Sequence, residues 1–304
     1  MAWRVHLTNQ AIQGVDILPG KSPLLIVWTQ RDRATYFDLD SGAQVGEHLH
    51  SAVARQSDKW AAFAASLVAP NGAYLPLVRT AQARILTTDD GRLRLFWPSS
   101  GELLLELESK EVKLEMPARA ADLVAVGLDR FMGLVAALDA KGKLHLFQQH
   151  IRVGSFDLKL RVEDDYQPLL AVANGGAAIY ASDGHDIVSA DTSGKVRKRL
   201  ATHYYIGRMV CSPDGKLLMT SDPETGVIRV YDGQELSPTH QRHTLDLLQD
   251  ADQLQLIADL PPFGAAAGTM AIDNRGAIAF NISGVVCGTT LKQLDALPRP
   301  QPLL

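Results

Sequence analysis

The chain has 304 residues, of which 46% are hydrophobic and 21% charged, with a formal net charge of −4. The hydrophobic fraction is enough to build a large core, and the small negative charge provides no broad basic field that would draw the protein onto nucleic acid or anionic lipid. No run of about 18 apolar residues occurs, so no membrane span is expected.

The cysteines and the N-terminal residues predict the compartment. Cys211 and Cys287 are too few for a disulfide framework, and neither has cysteine or histidine neighbours at the spacing of a zinc site. Residues 1–20 contain no uninterrupted apolar segment and no small-residue cleavage site, which argues against a secretory signal. We therefore expect a cytoplasmic protein.

A compact unit of short apolar strand, tight turn and second apolar strand recurs along the chain. In chain order its copies lie at residues 16–29, 67–80, 127–142, 172–184, 211–232 and 271–284. The clearest copy is CSPDGKLLMTSDPETGVIRVYD, residues 211–232, and its SPDGKLL is matched best by APNGAYL in the second copy. Repetition at about 50 residues indicates an architecture in which each unit buries its face only against its neighbours.

The turns between these strands predict antiparallel hairpins. Asp-Gly and Asn-Gly pairs, which supply the positive φ that tight turns need, include Asn174–Gly175, Asp183–Gly184 and Asp214–Gly215. The basic run KVRKR, residues 195–199, is expected to be the solvated face of a strand. Long amphipathic helices are scarce, so the sequence predicts an all-β chain.

The third strand of several units ends in an aromatic or small apolar residue followed by a polar one. Examples are ATYFDLDSG (34–42), DIVSADTSG (186–194) and VIRVYDGQ (227–234). Together with SPDG and the two preceding strands, this ending resembles the WD-repeat and YVTN-type β-propellers, although no unit carries the Trp-Asp dipeptide or the Gly-His pair of strict WD repeats. The resemblance implies four-stranded antiparallel blades around a central channel and, in most family members, a scaffold for protein partners.

We predict one β-propeller domain over residues 1–304, with six blades and with seven as the alternative. The count depends on two long intervals, 98–122 and 235–263, which are predicted to be insertions or irregular blade segments. The segment WRVHLT (3–8) is predicted to pair with the last blade and close the ring, because an open sheet edge promotes aggregation.

No catalytic or metal-binding constellation stands out, so we predict no catalytic residue, metal or cofactor. His48 and His50 would share one face of a strand but lack a third ligand, and the HQRH segment 240–243 is predicted to be loop. The acidic turns 87–91 and 220–226 lack the alternating oxygen ligands of a calcium loop. Cys211 is expected to be a buried, inert thiol, and Asp122 is a lone carboxylate candidate at the channel mouth, where propeller lactonases keep their chemistry.

One face of the predicted propeller carries the candidate binding residues. In this fold the loops after the second strand of each blade and the loops between blades lie on the same face, where they are held by a rigid scaffold. The candidates on this rim are Arg31, Arg33, Arg79, Lys141 and His185, opposed by Asp222 and Glu224. Trp60 is either a partner anchor or the buried start of an inner strand.

The sequence thus predicts a noncatalytic, monomeric scaffold that binds a protein or peptide on this loop face, and neither nucleic acid nor a membrane. Two alternatives stay open. One is a propeller hydrolase or lactonase with a divalent metal at the channel mouth, and the other is a sensor for a small ligand held in the channel.

Overall fold

The computed structural model describes residues 3–6, 12–18, 24–29, 33–49, 83–87, 93–98, 102–107, 110–117, 122–129, 131, 133–163, 165–247, 269–282 and 285–296. These residues form six four-stranded antiparallel sheets, which are the blades of a β-propeller. The predicted all-β propeller with four-stranded blades is confirmed, and the described part of the chain contains six of them.

The strands follow one another in blade order, except that the first strand belongs to the last blade. Blade 1 contains β2 (Ile12–Leu18), β3 (Leu24–Thr29), β4 (Arg33–Asp38) and β5 (Gln44–Leu49). Blade 2 contains β6 (Ala83–Thr87), β7 (Leu93–Pro98), β8 (Leu104–Leu107) and β9 (Lys110–Lys113). Blade 3 contains β10 (Leu123–Leu128), β11 (Leu134–Asp139), β12 (Lys143–Gln148) and β13 (Ile151–Asp157).

The remaining blades repeat this order. Blade 4 contains β14 (Leu169–Val172), β15 (Ile179–Ser182), β16 (Asp186–Ala190) and β17 (Val196–Ala201). Blade 5 contains β18 (Arg208–Cys211), β19 (Leu217–Ser221), β20 (Val227–Asp232) and β21 (Pro238–His243). Blade 6 contains β22 (Met270–Ile272), β23 (Ala277–Ile282), β24 (Val285–Thr290) and β1 (Trp3–His6).

The N-terminal strand supplies the outer strand of blade 6. β1 pairs antiparallel with β24, with Trp3 opposite Gly288 and His6 opposite Val285. Pairing one end of the chain with the other covers an edge that would otherwise present unpaired backbone groups.

The segments that were hard to interpret from the sequence fall into three cases. The repeat copy at 67–80 lies outside the described residues. Part of the 98–122 interval forms β8 and β9, the last two strands of blade 2. The prediction that HQRH is a loop is wrong: these residues belong to β21, the outer strand of blade 5, whose backbone pairs with β20 on one side. An outer strand accepts polar residues because its side chains are only half-buried or exposed.

Helical structure is sparse among the described residues. Two 3₁₀ turns cover Asn174–Gly176 and Thr244–Leu247, and the short helix α1 covers Leu291–Ala296 after β24.

The core is a series of apolar layers between successive blades. Buried clusters join blade 6 to blade 1, blade 2 to 3, blade 3 to 4, blade 4 to 5 and blade 5 to 6. The second strands β11, β15 and β23 are buried along their whole length, whereas the outer strands β13 and β17 are largely exposed. Continuous apolar runs therefore mark strands that are covered on both sides.

Turns between first and second strands connect the blades on one face. The backbone N–H of Gly175 donates to Asp129 Oδ2 (2.7 Å), that of Asn174 to the Pro213 carbonyl (2.7 Å), and that of Asp214 to Asn274 Oδ1 (2.8 Å). These bonds join blades 3, 4, 5 and 6 in sequence. The SPDG turn, residues 212–215, therefore helps to hold blade 5 against its two neighbours.

The opposite face is the loop face. In a four-stranded meander the second-to-third turn and the connection to the next blade lie at the same end of the sheet. Here these are the turns 140–142, 183–185 and 222–226 and the connections 158–168 and 202–207.

Candidate functional site

A pocket of about 400 Å³ opens on the loop face between blades 3 and 4. It lies between the connection that leaves blade 3 and the second-to-third turn of blade 4. The lining residues are Lys159, Arg161, Glu163, Tyr166, Asp183, His185 and Asp186.

The connection that leaves blade 3 reaches this position because it alternates buried and exposed residues. Leu158 and Leu160 are buried in the layer between blades 3 and 4, so Lys159 and Arg161 face solvent. The Leu158 N–H donates to the Gly142 carbonyl at 3.1 Å, which places the segment across the turn of blade 3. The buried Leu158 and Leu160 and the bond to Gly142 therefore fix this segment, and Lys159 and Arg161 lie at the pocket rim as a result.

Asp183 holds the floor of the pocket together. Its carboxylate accepts the backbone N–H groups of His185 (3.1 Å), Asp186 (2.8 Å) and Arg161 (3.2 Å). The first two bonds form the turn, and the third ties that turn to the connection from blade 3. Asp183 is 8% exposed and accepts three backbone N–H groups, so its carboxylate serves mainly to stabilise the fold and is poorly accessible to a ligand.

An aromatic cluster forms one wall. The Tyr166 and His185 rings meet edge to face with centroids 4.4 Å apart, and the Tyr205 ring lies 5.4 Å from Tyr166. His185 Nδ1 lies 3.0 Å from the Tyr204 carbonyl, and because a carbonyl only accepts, Nδ1 carries the hydrogen. Nε2 of His185 is then an acceptor in the neutral ring and a donor in the protonated ring.

The connection from blade 4 to blade 5 contains Tyr204, whose backbone carbonyl contacts His185 and whose side chain packs against blade 5. Tyr204 stacks under the guanidinium of Arg229, with Cζ 3.6 Å from the ring centroid, and its hydroxyl meets that of Tyr231. Burial raises the pKa of Tyr204, and the positive charge of Arg229 opposes that rise. The residue whose backbone carbonyl orients His185 is therefore held in place by the contacts of its half-buried side chain.

The charges at the pocket differ in whether they already have partners. Asp186 pairs with Arg199 at 3.3 Å, and Arg199 also donates to the Leu158 carbonyl. Within the described residues, no ion pair or side-chain hydrogen bond holds Lys159, Arg161 or Glu163. Among the described residues, the two cations Lys159 and Arg161 and the carboxylate Glu163 thus have no ion-pair partner, and they lie beside an aromatic wall.

A second polar network lies in blade 3 and was not foreseen from the sequence. His145 contacts Asp139 Oδ2 through Nε2 (3.1 Å) and Ser155 Oγ through Nδ1 (2.9 Å). Asp139 Oδ1 accepts the backbone N–H groups of Lys141 and Lys143. The His145 ring is 1% exposed and Asp139 is fully buried, so the network locks the turn of blade 3 and leaves no room for a substrate on the imidazole. An aspartate that ends a second strand, followed six residues later by histidine, was the available signal.

The structure places the predicted site residues in different settings. Arg31, Trp60 and Arg79 lie outside the described residues, and Arg33 begins β4 without a described side chain. Lys141 and Glu224 are exposed on loop-face turns. Asp222 is 1% exposed, and its oxygens accept from the Glu224 and Thr225 backbone and the Thr225 hydroxyl, which makes it a turn former.

His185 lies in the pocket, where Lys159, Arg161 and Tyr166 join it. Sequence reasoning missed these three because they lie on an irregular connection with no motif.

Other expectations from the sequence concerned metal binding, the side chains of Asp122 and the two cysteines, and membrane spans. Within the described ranges, no cluster of three or more His, Cys, Asp or Glu side chains is placed to bind a metal ion. Asp122 is exposed just before β10, and neither the half-buried Cys211 nor the buried Cys287 forms a disulfide. No helix in the described part of the chain is long and apolar enough to cross a membrane.

A scan against protein-family models and a search of curated proteins each returned no match.

Proposed function

We propose that this protein is a noncatalytic β-propeller scaffold that binds a protein or peptide partner on its loop face, and that it is a degenerate relative of the WD-repeat and YVTN-type propellers. The observation that carries the proposal is the pocket lined by Lys159, Arg161, Glu163, Tyr166, Asp183, His185 and Asp186, in which Lys159 and Arg161 have no ion-pair partner among the described residues. Binding residues on loops supported by a stiff framework are the usual arrangement in such folds.

Two features support a binding role for this pocket. Three hydrogen bonds to Asp183 and one from His185 to the next connection hold the backbone that carries the binding residues, so this backbone needs little ordering when a partner binds. The pocket also combines aromatic and arginine side chains, the residue types that dominate interface energetics. We also propose that the protein is monomeric and cytoplasmic; the absence of a disulfide at Cys211 and Cys287 agrees with a reducing compartment.

The proposal is tested by affinity capture from host lysate, followed by direct binding of the purified partner. Wild type is compared with the double variant Lys159→Glu and Arg161→Glu. The matched control is Lys110→Glu and Lys195→Glu, which reverses two exposed lysines away from the pocket. Circular dichroism and thermal midpoints establish that all three proteins are folded.

We expect a partner that binds wild type and the control alike and is lost from the pocket variant. Equal binding by all three proteins would move the interface away from this pocket. Failure to enrich any protein with wild type would remove the support for a scaffold.

A further inference from the structure

We propose that His185 determines the specificity of the pocket: Nε2 of the neutral ring accepts a hydrogen bond from the hydroxyl of a partner tyrosine, whose own ring packs against Tyr166. This inference rests on the proposed function and names the side chain of the partner that the pocket binds. It follows from the fixed orientation of the His185 ring, from an acceptor that the protein leaves without a donor, and from the aromatic residues beside it.

The His185 ring is held in one orientation and, when neutral, in one tautomer. Its Nδ1–H donates to the Tyr204 carbonyl at 3.0 Å, and that carbonyl also lies 2.8 Å from the Thr202 hydroxyl. The same hydroxyl lies 2.6 Å from the His185 carbonyl, and the Ile206 N–H donates to the Gly184 carbonyl at 2.7 Å. These bonds tie the turn of blade 4 to the connection that leads to blade 5. The nitrogen that carries no hydrogen in the neutral ring is therefore Nε2.

Nε2 of His185 is an acceptor that the protein does not use. No donor among the described residues reaches it, although the half-buried ring lines the pocket and is open to solvent there. An accessible acceptor is hydrated in solution, and a ligand displaces that water at little cost only if it supplies an O–H or N–H donor. The bound group is therefore expected to be a donor.

The aromatic residues next to Nε2 favour a ligand that is itself aromatic. The Tyr166 ring meets His185 edge to face at 4.4 Å, and Tyr205 lies 5.4 Å from Tyr166. Gly184 lets this wall pack directly on the backbone of the turn: its φ is +110°, and a Cβ there would lie 2.8 Å from Cβ of Tyr166. A further ring extends the cluster by the edge-to-face or offset-stacked contacts that aromatic side chains prefer.

The charges around the pocket nearly cancel, which favours a neutral ligand. In the segments around it the carboxylates outnumber the cations by one: Asp157, Glu163, Asp165, Asp183 and Asp186 against Lys141, Lys159, Arg161 and Arg199. A phenol is uncharged at neutral pH, and its hydroxyl is the most acidic donor that an uncharged aromatic side chain offers. A tyrosine side chain thus matches the acceptor, the aromatic wall and the balanced charge.

The test measures the binding of two small probes to the ¹⁵N-labelled protein by NMR. One probe is p-cresol, the side chain of tyrosine, and the other is 4-methylanisole, in which a methyl group replaces the hydroxyl hydrogen. At pH 8 we expect p-cresol to bind with a Kd on the order of millimolar. We expect 4-methylanisole to bind about fivefold more weakly, because it cannot donate to Nε2.

Two substitutions of His185 separate the lost acceptor from other effects. His185→Asn keeps a donor near the position of Nδ1 but has no atom at that of Nε2, so it should bind both probes equally. His185→Gln places an amide oxygen near the position of Nε2, so the preference for p-cresol should persist. The matched control is His203→Asn, which removes an exposed histidine from the neighbouring connection and should leave the preference unchanged.

The pH profile provides a readout that a purely structural role would not move. The charged or titratable side chains on the elements packed around His185 are Lys159, Arg161, Glu163, Tyr166, Asp183, Asp186, His203, Tyr204 and Tyr205. Of these residue types only histidine ordinarily changes its charge between about pH 5 and 8. A protonated Nε2 donates, and the oxygen of either probe can accept from it. The preference for p-cresol should therefore disappear by pH 5 with the midpoint of the His185 ¹⁵N titration, in wild type and in His203→Asn alike, whereas His185→Gln keeps it.

Several results would overturn the inference. These are no binding of either probe up to about 20 mM, equal binding of both probes to wild type at pH 8, and ¹⁵N shifts that place the hydrogen on Nε2 at that pH. A preference that persists in His185→Asn would also contradict it, since the size of the methyl group would then be the cause. If any of these is found while the captured partner is still lost from the charge-reversal variant, the proposed function stands and only the selection of tyrosine is wrong.

Discussion

Tyr180→Phe is expected to weaken the contact between blades 4 and 5. The Tyr180 ring is fully buried on β15, and its hydroxyl donates to the Gly215 carbonyl at 2.6 Å and approaches the Gly233 carbonyl at 3.0 Å. Phenylalanine keeps the ring, so no cavity of ring size opens. The change removes the shared donor of two buried acceptors, which costs about 1–3 kcal/mol when no replacement is present.

The assay is equilibrium unfolding in urea, with the free energy of unfolding taken from the midpoint and slope. Tyr205→Phe is the control, because its ring is half-buried and its hydroxyl makes no hydrogen bond within the described residues. We expect Tyr180→Phe to lose about 2 kcal/mol and Tyr205→Phe less than about 0.5 kcal/mol. A Tyr180→Phe protein as stable as wild type would refute the idea that this hydroxyl joins the blades.

Three further predictions concern local strain and pH. Gly142→Ala should destabilise the protein by about 1–3 kcal/mol and weaken partner binding, because at φ +73° its Cβ would lie 2.4 Å from the Leu160 carbonyl oxygen; thermal unfolding and the capture assay measure both effects. The Ser193 hydroxyl lowers the pKa of Asp191 from its ordinary 3.8, so this stabilisation is present above that value and is lost as pH falls through the folded pKa. Ser193→Ala should therefore flatten the acid limb of a stability profile, and an unchanged limb would contradict this account. Burial raises the pKa of Tyr180, so its contribution is complete below the unfolded value of about 10 and is lost at higher pH; Tyr180→Phe should show a shallower alkaline loss of stability.

Most of the fold prediction was based on the residues that form turns. Aspartates that end a strand, such as Asp38 and Asp232, or that lie in a turn, such as Asp214, accept backbone N–H groups two or three residues ahead. These bonds are local, so they can be inferred from the order of residues alone. The ending of aromatic residue then aspartate has the same basis: Phe37 and Tyr231 are buried between blades, and the next residue forms the turn.

The pocket on the loop face could be predicted only in part. His185 was expected on the loop face because it follows an Asp-Gly turn. Lys159, Arg161 and Tyr166 were not, since they lie on a connection whose path depends on Leu158 and Leu160 entering a layer built by two blades. Asp222 resembles an exposed rim acid in sequence, yet the turn folds around its carboxylate and buries it.

The sequence by itself determined the repeat, the hairpins and the antiparallel blades, because strand alternation and turn preferences act within a few residues of each other. The closing of the ring by β1 was also predicted from the sequence, and the pairing of β1 with β24 confirms it. Only the tertiary structure decided that the SPDG turn bonds to Asn274 of the next blade, and that the connection from blade 3 and the second-to-third turn of blade 4 line one pocket. These contacts join residues far apart in the chain, and their partners are selected by the stacking of whole blades, which no local pattern records.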